Sequence, residues 1–161
     1  MKAASLVIAL SFAAAPALAQ NAAQVARAQA GGDCPRCDLF QADLGNKALK
    51  GHDYAGARLG QSDMSLSVFN HTSFADADMR DVNGYGALFT DANFAGANMT
   101  NATMVGSYLE GANFRGARLS GVDFSGAEMD RAVGLSQAQL DEACGDASTR
   151  LPRGLRLPAC R

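Results

Sequence analysis

A large apolar residue stands at almost every fifth position of this chain from Leu39 to Met129. The spacing holds over nineteen consecutive positions, and Gly84 is the single exception. A period of five matches neither the 3.6-residue period of an α-helix nor the two-residue period of a β-strand. The spacing therefore predicts a repeat architecture, in which units too small to fold alone are stabilised by stacking.

A second pattern accompanies the first. A small residue stands two positions before most of the large apolar residues, Asp or Asn often comes directly before them, and Gly commonly follows two positions later. Lys47 and His52 interrupt the small-residue pattern near its start. The clearest copies of the unit are Ala42-Asp43-Leu44, Ala92-Asn93-Phe94, Ala97-Asn98-Met99 and Ala112-Asn113-Phe114.

These copies resemble the pentapeptide-repeat family, whose motif reads A-(D/N)-L-x-x, over about residues 37 to 131. The resemblance implies an all-β fold, a right-handed quadrilateral β-helix with one pentapeptide per side and twenty residues per coil. We therefore expect a pentapeptide-repeat solenoid over residues 37–133, and a short C-terminal capping helix with a disulfide-closed tail over residues 134–161.

The implied coil has a consequence for the core. Residues twenty apart should stack in neighbouring coils, about 4.8 Å apart, so the large apolar residues sort into four columns. The column that contains Gly84 has a gap, and we expect Val82, which replaces the usual Ala, to fill part of it. Another column is predicted to form an aromatic ladder of Tyr54, Phe74, Phe94 and Phe114.

The N-terminal segment has the features of a secretory signal peptide. Residues 1–19 contain Lys2, an apolar run from Leu6 through Ala15 and an A-x-A cleavage motif that ends at Ala19. The run is too short for a membrane-spanning helix, and a retained anchor is the alternative. Cleavage leaves 13 basic and 16 acidic residues, which changes the net charge from −2 to −3. We expect a periplasmic or secreted protein with no membrane span after cleavage.

The segments that flank the repeats follow other rules. Residues 20–36 form an Ala/Gln/Gly-rich linker or frayed helix that carries a CxxC motif. After the repeats, Ser136-Gln137-Ala138-Gln139 matches a capping box. It predicts a helix from Gln137 to about Cys144, which ends at Gly145 and covers the end of the core.

Four cysteines in an exported chain imply disulfides. In the coil geometry that the resemblance implies, the first two cysteines precede the coils and the last two follow them. About 20 Å then separates the two groups, beyond the roughly 7 Å limit between bridged Cα atoms. The expected bridge is Cys144–Cys160, while Cys34 and Cys37 either form a second bridge or stay reduced.

The CxxC motif is the one feature typical of catalysis. In thioredoxin-like enzymes such a motif opens a helix that lowers the thiol pKa, whereas here Asp38 and Leu39 begin the repeats. Zinc binding by these thiols with His52 or His71 is a further alternative, although the ligand spacing is irregular. The sequence shows no nucleophile–base set, phosphate loop or paired carboxylates. We expect no enzymatic activity, catalytic residue, cofactor or metal.

Binding is the more promising class of function. Outward positions of the repeats are mostly Gly, Asn, Asp, Ser or Thr, but one corner is predicted to carry an apolar patch. Exposed apolar patches often mark interaction sites, and scattered surface residues without a role are the alternative. The six residues of this predicted patch are Leu66, Val68, Tyr85, Leu88, Val105 and Tyr108.

Two functions of different classes follow. The first is an exported, non-enzymatic scaffold for an unidentified protein partner in the cell envelope. The second is a periplasmic thiol–disulfide protein that acts through Cys34 and Cys37. The family also implies a third, because its gyrase-protecting members mimic DNA with an acidic rod. The signal peptide and the interrupting arginines argue against a nucleic-acid role, and the sequence leaves the oligomeric state open. Those arginines are Arg58, Arg80, Arg115 and Arg118.

Overall fold

The computed structural model describes residues 21–161, so the predicted signal peptide lies outside the described residues. Helical structure is confined there to two segments, α1 (Ala22–Gln29) and α2 (Gln137–Leu140). Within residues 21–161, no helix has the length and hydropathy that crossing a membrane requires. Between the two helices the chain runs through five-residue units.

Each unit contributes one isolated parallel β-bridge instead of a long strand. The bridging residue directly precedes the large apolar residue and pairs with the residue twenty positions later, as Asp38 does with Arg58 and Asn113 with Val133. Four successive units therefore make one coil, and each coil bonds to the coils before and after it. The strands are short because every fifth residue begins a new turn.

The backbone hydrogen bonds explain why Asp or Asn precedes the large residue. In the unit around Phe94, Asn93 N–H donates to the coil before, and the N–H groups of Phe94 and Gly96 donate to the coil after, all at 2.8–2.9 Å. Ala97 N–H closes the turn onto the Phe94 carbonyl at 3.0 Å. The remaining amide, on Ala95, donates to Asn93 Oδ1 at 3.1 Å. The Asx side chain thus satisfies the one amide that the ladder leaves unpaired.

The turns explain the recurring glycine. Every fifth residue from Arg36 to Gly126 has a positive φ, between 54° and 76°. This left-handed conformation is free of strain for Gly and is tolerated by Asn and Asp, the residues that occupy most of these corners. Side chains at the corners point away from the core, so these positions stay polar or small in most coils.

The core is one stack of side chains along the coils. The predicted aromatic ladder is confirmed: successive rings are stacked with centroids 5.8, 5.4 and 5.2 Å apart. A second stack pairs Phe69 with Phe89 at 5.5 Å. At Gly84 the side chain of Met104 from the next coil reaches into the gap, and Val82, which was expected to fill part of it, is buried as well.

Helix α1 closes the first coil. It begins after the N-cap Asn21, whose side chain accepts the Gln24 N–H. Gln24 Oε1 accepts the Asp38 N–H at 2.6 Å, and Gln29 Nε2 donates to the Asp43 carbonyl at 2.8 Å. The segment expected to be a linker or frayed helix is therefore an ordered cap. It pairs backbone groups that would otherwise form an open sheet edge.

Helix α2 begins as predicted but is shorter. Ser136 and Gln139 form the expected capping box, and Leu140 is fully buried against the last coil. The prediction that this helix continues to about Cys144 is wrong, since it ends at Leu140. Cys144 instead forms a parallel bridge with Asp123, so the chain leaves the helix to extend the β-ladder.

Candidate interaction surface

The structure places all six residues of the predicted patch at one corner and its adjoining side. Val68, Leu88 and Tyr108 follow one another through consecutive β-bridges. Leu66 and Tyr85 lie across the turn before them, where Leu66 N–H donates to the Tyr85 carbonyl at 2.9 Å. The sixth member, Val105, occupies the Tyr85 position of the following coil. We call these six residues the apolar patch.

Exposure distinguishes the apolar patch from the other surfaces. Leu66 is 57% exposed, Tyr85 53% and Tyr108 45%, while the other three members are half-buried. Among residues 21–161, Val133, at 53%, is the only large apolar side chain outside the patch that is similarly exposed. Three of the four most exposed large apolar side chains therefore lie together, which random scatter would not favour.

Two residues of the apolar patch stand where other units have an Asp or Asn that binds a turn amide. In ten units an Asp or Asn oxygen accepts a turn amide at 2.8–3.3 Å. Val68 and Leu88 occupy the Asx position but carry no polar side-chain atom. The N–H of Thr90, two residues after Leu88, donates instead to Asn70 Oδ1 of the preceding coil at 3.0 Å. At the Leu88 turn, the neighbouring coil thus supplies the acceptor that an Asx side chain supplies elsewhere.

The corner residues between the two columns of the patch are Leu66, Gly86 and Gly106, and we call the stretch without side chains at the two glycines the trough. Leu66 leans over Gly86, its Cδ2 atom 2.9 Å from where a Cβ on that glycine would stand. Nothing lies within 4 Å of the equivalent position on Gly106. The trough is thus closed by Leu66 at one end and open over Gly106, between Val105 and Tyr108.

The segments that carry the patch are acidic, whereas the coil before them carries Lys47 and Lys50, and the Lys47 carbonyl accepts the Val68 N–H at 2.8 Å. The segments that carry the patch, residues 63–71, 83–91 and 103–111, contain Asp63, Asp91 and Glu110 but no Lys or Arg. Asp63 Oδ1 accepts the Ser65 N–H of its own turn and an Asn83 Nδ2 hydrogen from the next coil, and Asp91 Oδ2 lies 3.7 Å from His71 Nδ1. Glu110 is paired with Arg131 from the next coil. The patch therefore presents apolar side chains flanked by carboxylates.

Both disulfides are present. The Cα atoms of Cys34 and Cys37 are 5.3 Å apart, and those of Cys144 and Cys160 are 4.9 Å apart. Cys34 is fully buried and Cys37 is 7% exposed. The first bridge lies after the end of α1, not at a helix N-terminus where a thioredoxin-like thiol is activated. It closes the turn that connects α1 to the first coil, where Cys37 N–H donates to the Cys34 carbonyl at 3.2 Å.

The histidines do not join the cysteines of the CxxC motif. His52 Nδ1 lies 3.2 Å from Asp33 Oδ1, which also accepts the Asp53 amide. In the described part of the chain, one group of potential metal ligands is close enough to hold an ion, and two of its three members are the bridged cysteines Cys144 and Cys160. Disulfide sulfurs lack the thiolate charge that metal binding requires.

Comparison with protein families gives a match to the pentapeptide repeats, in eight copies over residues 55–83, 87–126 and 107–144, more than half of the chain. No curated protein matches the chain. Among solved structures, it is similar to the pentapeptide repeat protein Rfr23 from the cyanobacterium Cyanothece 51142. The identity is 24% and the TM-score 0.55, over 71% of this chain and 63% of that one.

Two further structures are more distant. A pentapeptide repeat protein from the Arabidopsis thaliana thylakoid lumen is 23% identical, with a TM-score of 0.31, over 68% of this chain and 61% of that one. QnrB1, a plasmid-mediated fluoroquinolone resistance protein, is 19% identical, with a TM-score of 0.37, over 78% and 79%. The chain spans less than two thirds of the length of Rfr23 and of the Arabidopsis protein. At 24% identity, the similarity to Rfr23 shows a shared fold and nothing further.

Proposed function

The chain belongs to the pentapeptide-repeat family, and on that premise we propose that it is an exported, non-enzymatic scaffold that binds a protein partner in the cell envelope. The scaffold is a right-handed, four-sided β-helix closed by the short C-terminal helix. The partner docks on the apolar patch.

The single observation that carries this proposal is the clustering of exposed apolar side chains on three consecutive coils. The side chains stand on backbone that is bonded to the coil on either side, as Leu88 N–H is to the Ser67 carbonyl at 2.8 Å. A surface held in this way is already ordered before binding, so little conformational entropy is lost when a partner docks. Rigid presentation of a small apolar surface is what a scaffold requires.

Both ends of the coil stack are covered, which favours the side surface as the place where a partner binds. Helix α1 and its glutamines occupy the first edge, and the C-terminal tail occupies the last, where Phe124 N–H donates to the Cys144 carbonyl at 2.9 Å. Covered edges disfavour end-to-end pairing with another chain. The side surface is therefore the one available for contact.

Export is supported by the signal-peptide features of residues 1–19 and by the two disulfides, which persist in oxidising compartments. The location proposed is the periplasm or the secreted fraction. The buried Cys34–Cys37 bridge gives no support to the alternative of a thiol–disulfide protein, since exchange requires access of an attacking thiolate to a sulfur atom.

The test is capture from an envelope extract with the mature protein as bait, read by quantitative mass spectrometry. A variant with Leu88→Ser and Tyr108→Ser removes apolar surface from the patch, and Val133→Ser removes an exposed valine elsewhere, which is 53% exposed against 45% for Tyr108. We expect the wild type and Val133→Ser to retain the same protein, and the double variant to lose it about tenfold or more. The captured protein is then purified and its binding measured directly. Equal retention by all three baits, or no retained protein, would contradict the proposal.

A further inference from the structure

We propose that the apolar patch accepts an amphipathic α-helix of the partner, with one apolar side chain of that helix seated over Gly106 and with Lys or Arg flanking its apolar face. This inference rests on the proposed function and adds the chemistry of the partner. It follows from three observations: the repeat along the patch, the shape of the trough and the charge around it.

The repeat along the patch fits a helix better than a strand. Patch residues recur at the coil spacing of about 4.8 Å, a helix rises about 5.4 Å per turn, and side chains on one face of a strand recur about every 6.7 Å. Over the two coil steps from Val68 to Tyr108, a helix laid along the coils drifts out of register by roughly 1 Å and a strand by roughly 4 Å.

A strand also lacks an edge to pair with. Addition of a strand to a sheet requires free backbone donors and acceptors along an edge. At the patch those groups are already paired between coils, as in Leu66 N–H to Tyr85 O and Phe89 N–H to Tyr108 O. Contact at this surface is consequently made by side chains, which is how an amphipathic helix binds.

The trough supplies a place for one anchoring side chain. The space over Gly106 is open, whereas the space over Gly86 is taken by Leu66. An apolar side chain placed over Gly106 lies between Val105 and Tyr108, and its neighbours one turn away on the helix meet Leu88 or Tyr85. Anchors that fill such sites contribute most of the binding energy of small interfaces.

The carboxylates near the patch favour a partner that carries positive charge. The three segments that carry the patch contain three carboxylates and no Lys or Arg. Among the described residues, Asp63 and Asp91 form no salt bridge with Lys or Arg, whereas Glu110 is paired with Arg131. Opposite charges at the rim of an interface steer association, and like charges oppose it. A helix flanked by Lys or Arg is therefore favoured. Nucleic acids and anionic lipid surfaces, which present phosphates, are disfavoured.

The experiment uses synthetic helical peptides as probes and the full mature protein. One peptide carries Leu on one face and Lys on both flanks, and its matched control carries Glu in place of Lys. Fluorescence anisotropy at physiological ionic strength reports the affinity of each. We expect saturable binding of the Lys peptide and at least about tenfold weaker binding of the Glu peptide.

Two glycine variants locate the anchor. Gly106 and Gly116 have φ values of 64° and 68°, and both face open space, but only Gly106 lies between the two columns of the patch. Asn adopts this conformation in the chain at Asn101, where φ is 58°, so both Gly→Asn changes should fold. We expect Gly106→Asn to weaken binding of the Lys peptide about tenfold, and Gly116→Asn to change it less than about twofold.

The inference is overturned if the Lys peptide does not bind, if the two peptides bind equally, or if the two glycine variants behave alike. The proposed function still stands after such a result if, in the capture experiment, the bait with Leu88→Ser and Tyr108→Ser loses the envelope partner. Failure of both experiments would remove the apolar patch as a binding site.

Discussion

The Sδ atom of Met104 stands 2.6 Å from the position that a Cβ atom on Gly84 would occupy. The one missing side chain in the repeat is thus replaced by a long, flexible side chain from the next coil. Val82, which the sequence predicts to fill part of this gap, is buried nearby but does not fill the gap alone. Methionine adapts to irregular gaps of this kind, which keeps the core filled.

Restoring the repeat at this position should therefore destabilise the protein. Gly84→Leu places a side chain in volume that Met104 already fills, and overpacking of a core costs about 1–3 kcal/mol. Urea denaturation measures the change in the free energy of unfolding. The variant that also carries Met104→Ala should recover part of the loss. A neutral or stabilising effect of Gly84→Leu would show that the gap is empty.

A comparison of two corner glycines tests how coils stack at the turns. A Cβ atom on Gly96 would lie 2.2 Å from Asp76 Oδ1 in the preceding coil, whereas one on Gly116 would meet nothing within 4 Å. Both glycines have a positive φ, so either change to Ala incurs about 1–2 kcal/mol of backbone strain. We expect Gly96→Ala to lower the free energy of unfolding by more than Gly116→Ala does. Equal losses in urea denaturation would rule out a role for the stacked Asp76.

Alkaline conditions test the burial of Tyr54. Burial, with a smaller effect of Asp33, raises the pKa of Tyr54 to about 12, above the value of about 10 in an unfolded chain. The contribution of the neutral phenol to stability is therefore complete below roughly pH 10 and is lost as the pH rises toward about 12. The free energy of unfolding should fall more steeply over this interval in the wild type than in Tyr54→Phe. Parallel curves for the two proteins would contradict the assignment.

Acid conditions test the turn that begins at Asp146. The Ser148 hydroxyl and then the Gly126 amide donate to Asp146 and lower the pKa of that carboxyl to about 2. The ionised carboxylate stabilises the fold above the unfolded pKa of about 3.9, and this stabilisation is lost as the pH falls toward about 2. Asp146→Asn should make the free energy of unfolding depend less on pH in that interval, with Ser148→Ala intermediate. An unchanged acid profile in Asp146→Asn would be inconsistent with this role.

The sequence predicts the coils well because their determinants are local. The five-residue spacing fixes which residues face inward, and the twenty-residue coil brings like residues together, so the aromatic ladder and the columns of the patch follow. The start of α2 is equally local, because a capping box needs only Ser136 and Gln139. Its end is not local: the helix ends at Leu140, and four residues later Cys144 pairs with Asp123 in the β-ladder.

The N-terminal cap and the trough are harder to predict from the sequence. The glutamines of α1 act only because the first coil presents an unpaired edge to them, which composition does not reveal. The trough depends on the side chain of Leu66 lying over Gly86 and not over Gly106. A signal for it is nevertheless present, since two glycines twenty residues apart lie between two columns of apolar residues.

The most direct test of the central claim, that the apolar patch binds an envelope protein, is site-specific photo-crosslinking in living cells. A photoreactive phenylalanine derivative replaces Tyr108 in the patch in one strain and Val133 outside it in another, two positions of similar exposure. The account predicts that Tyr108 yields a discrete crosslinked adduct with one protein and that Val133 does not. Adducts of the same size and yield from both positions, or none from Tyr108, would contradict it.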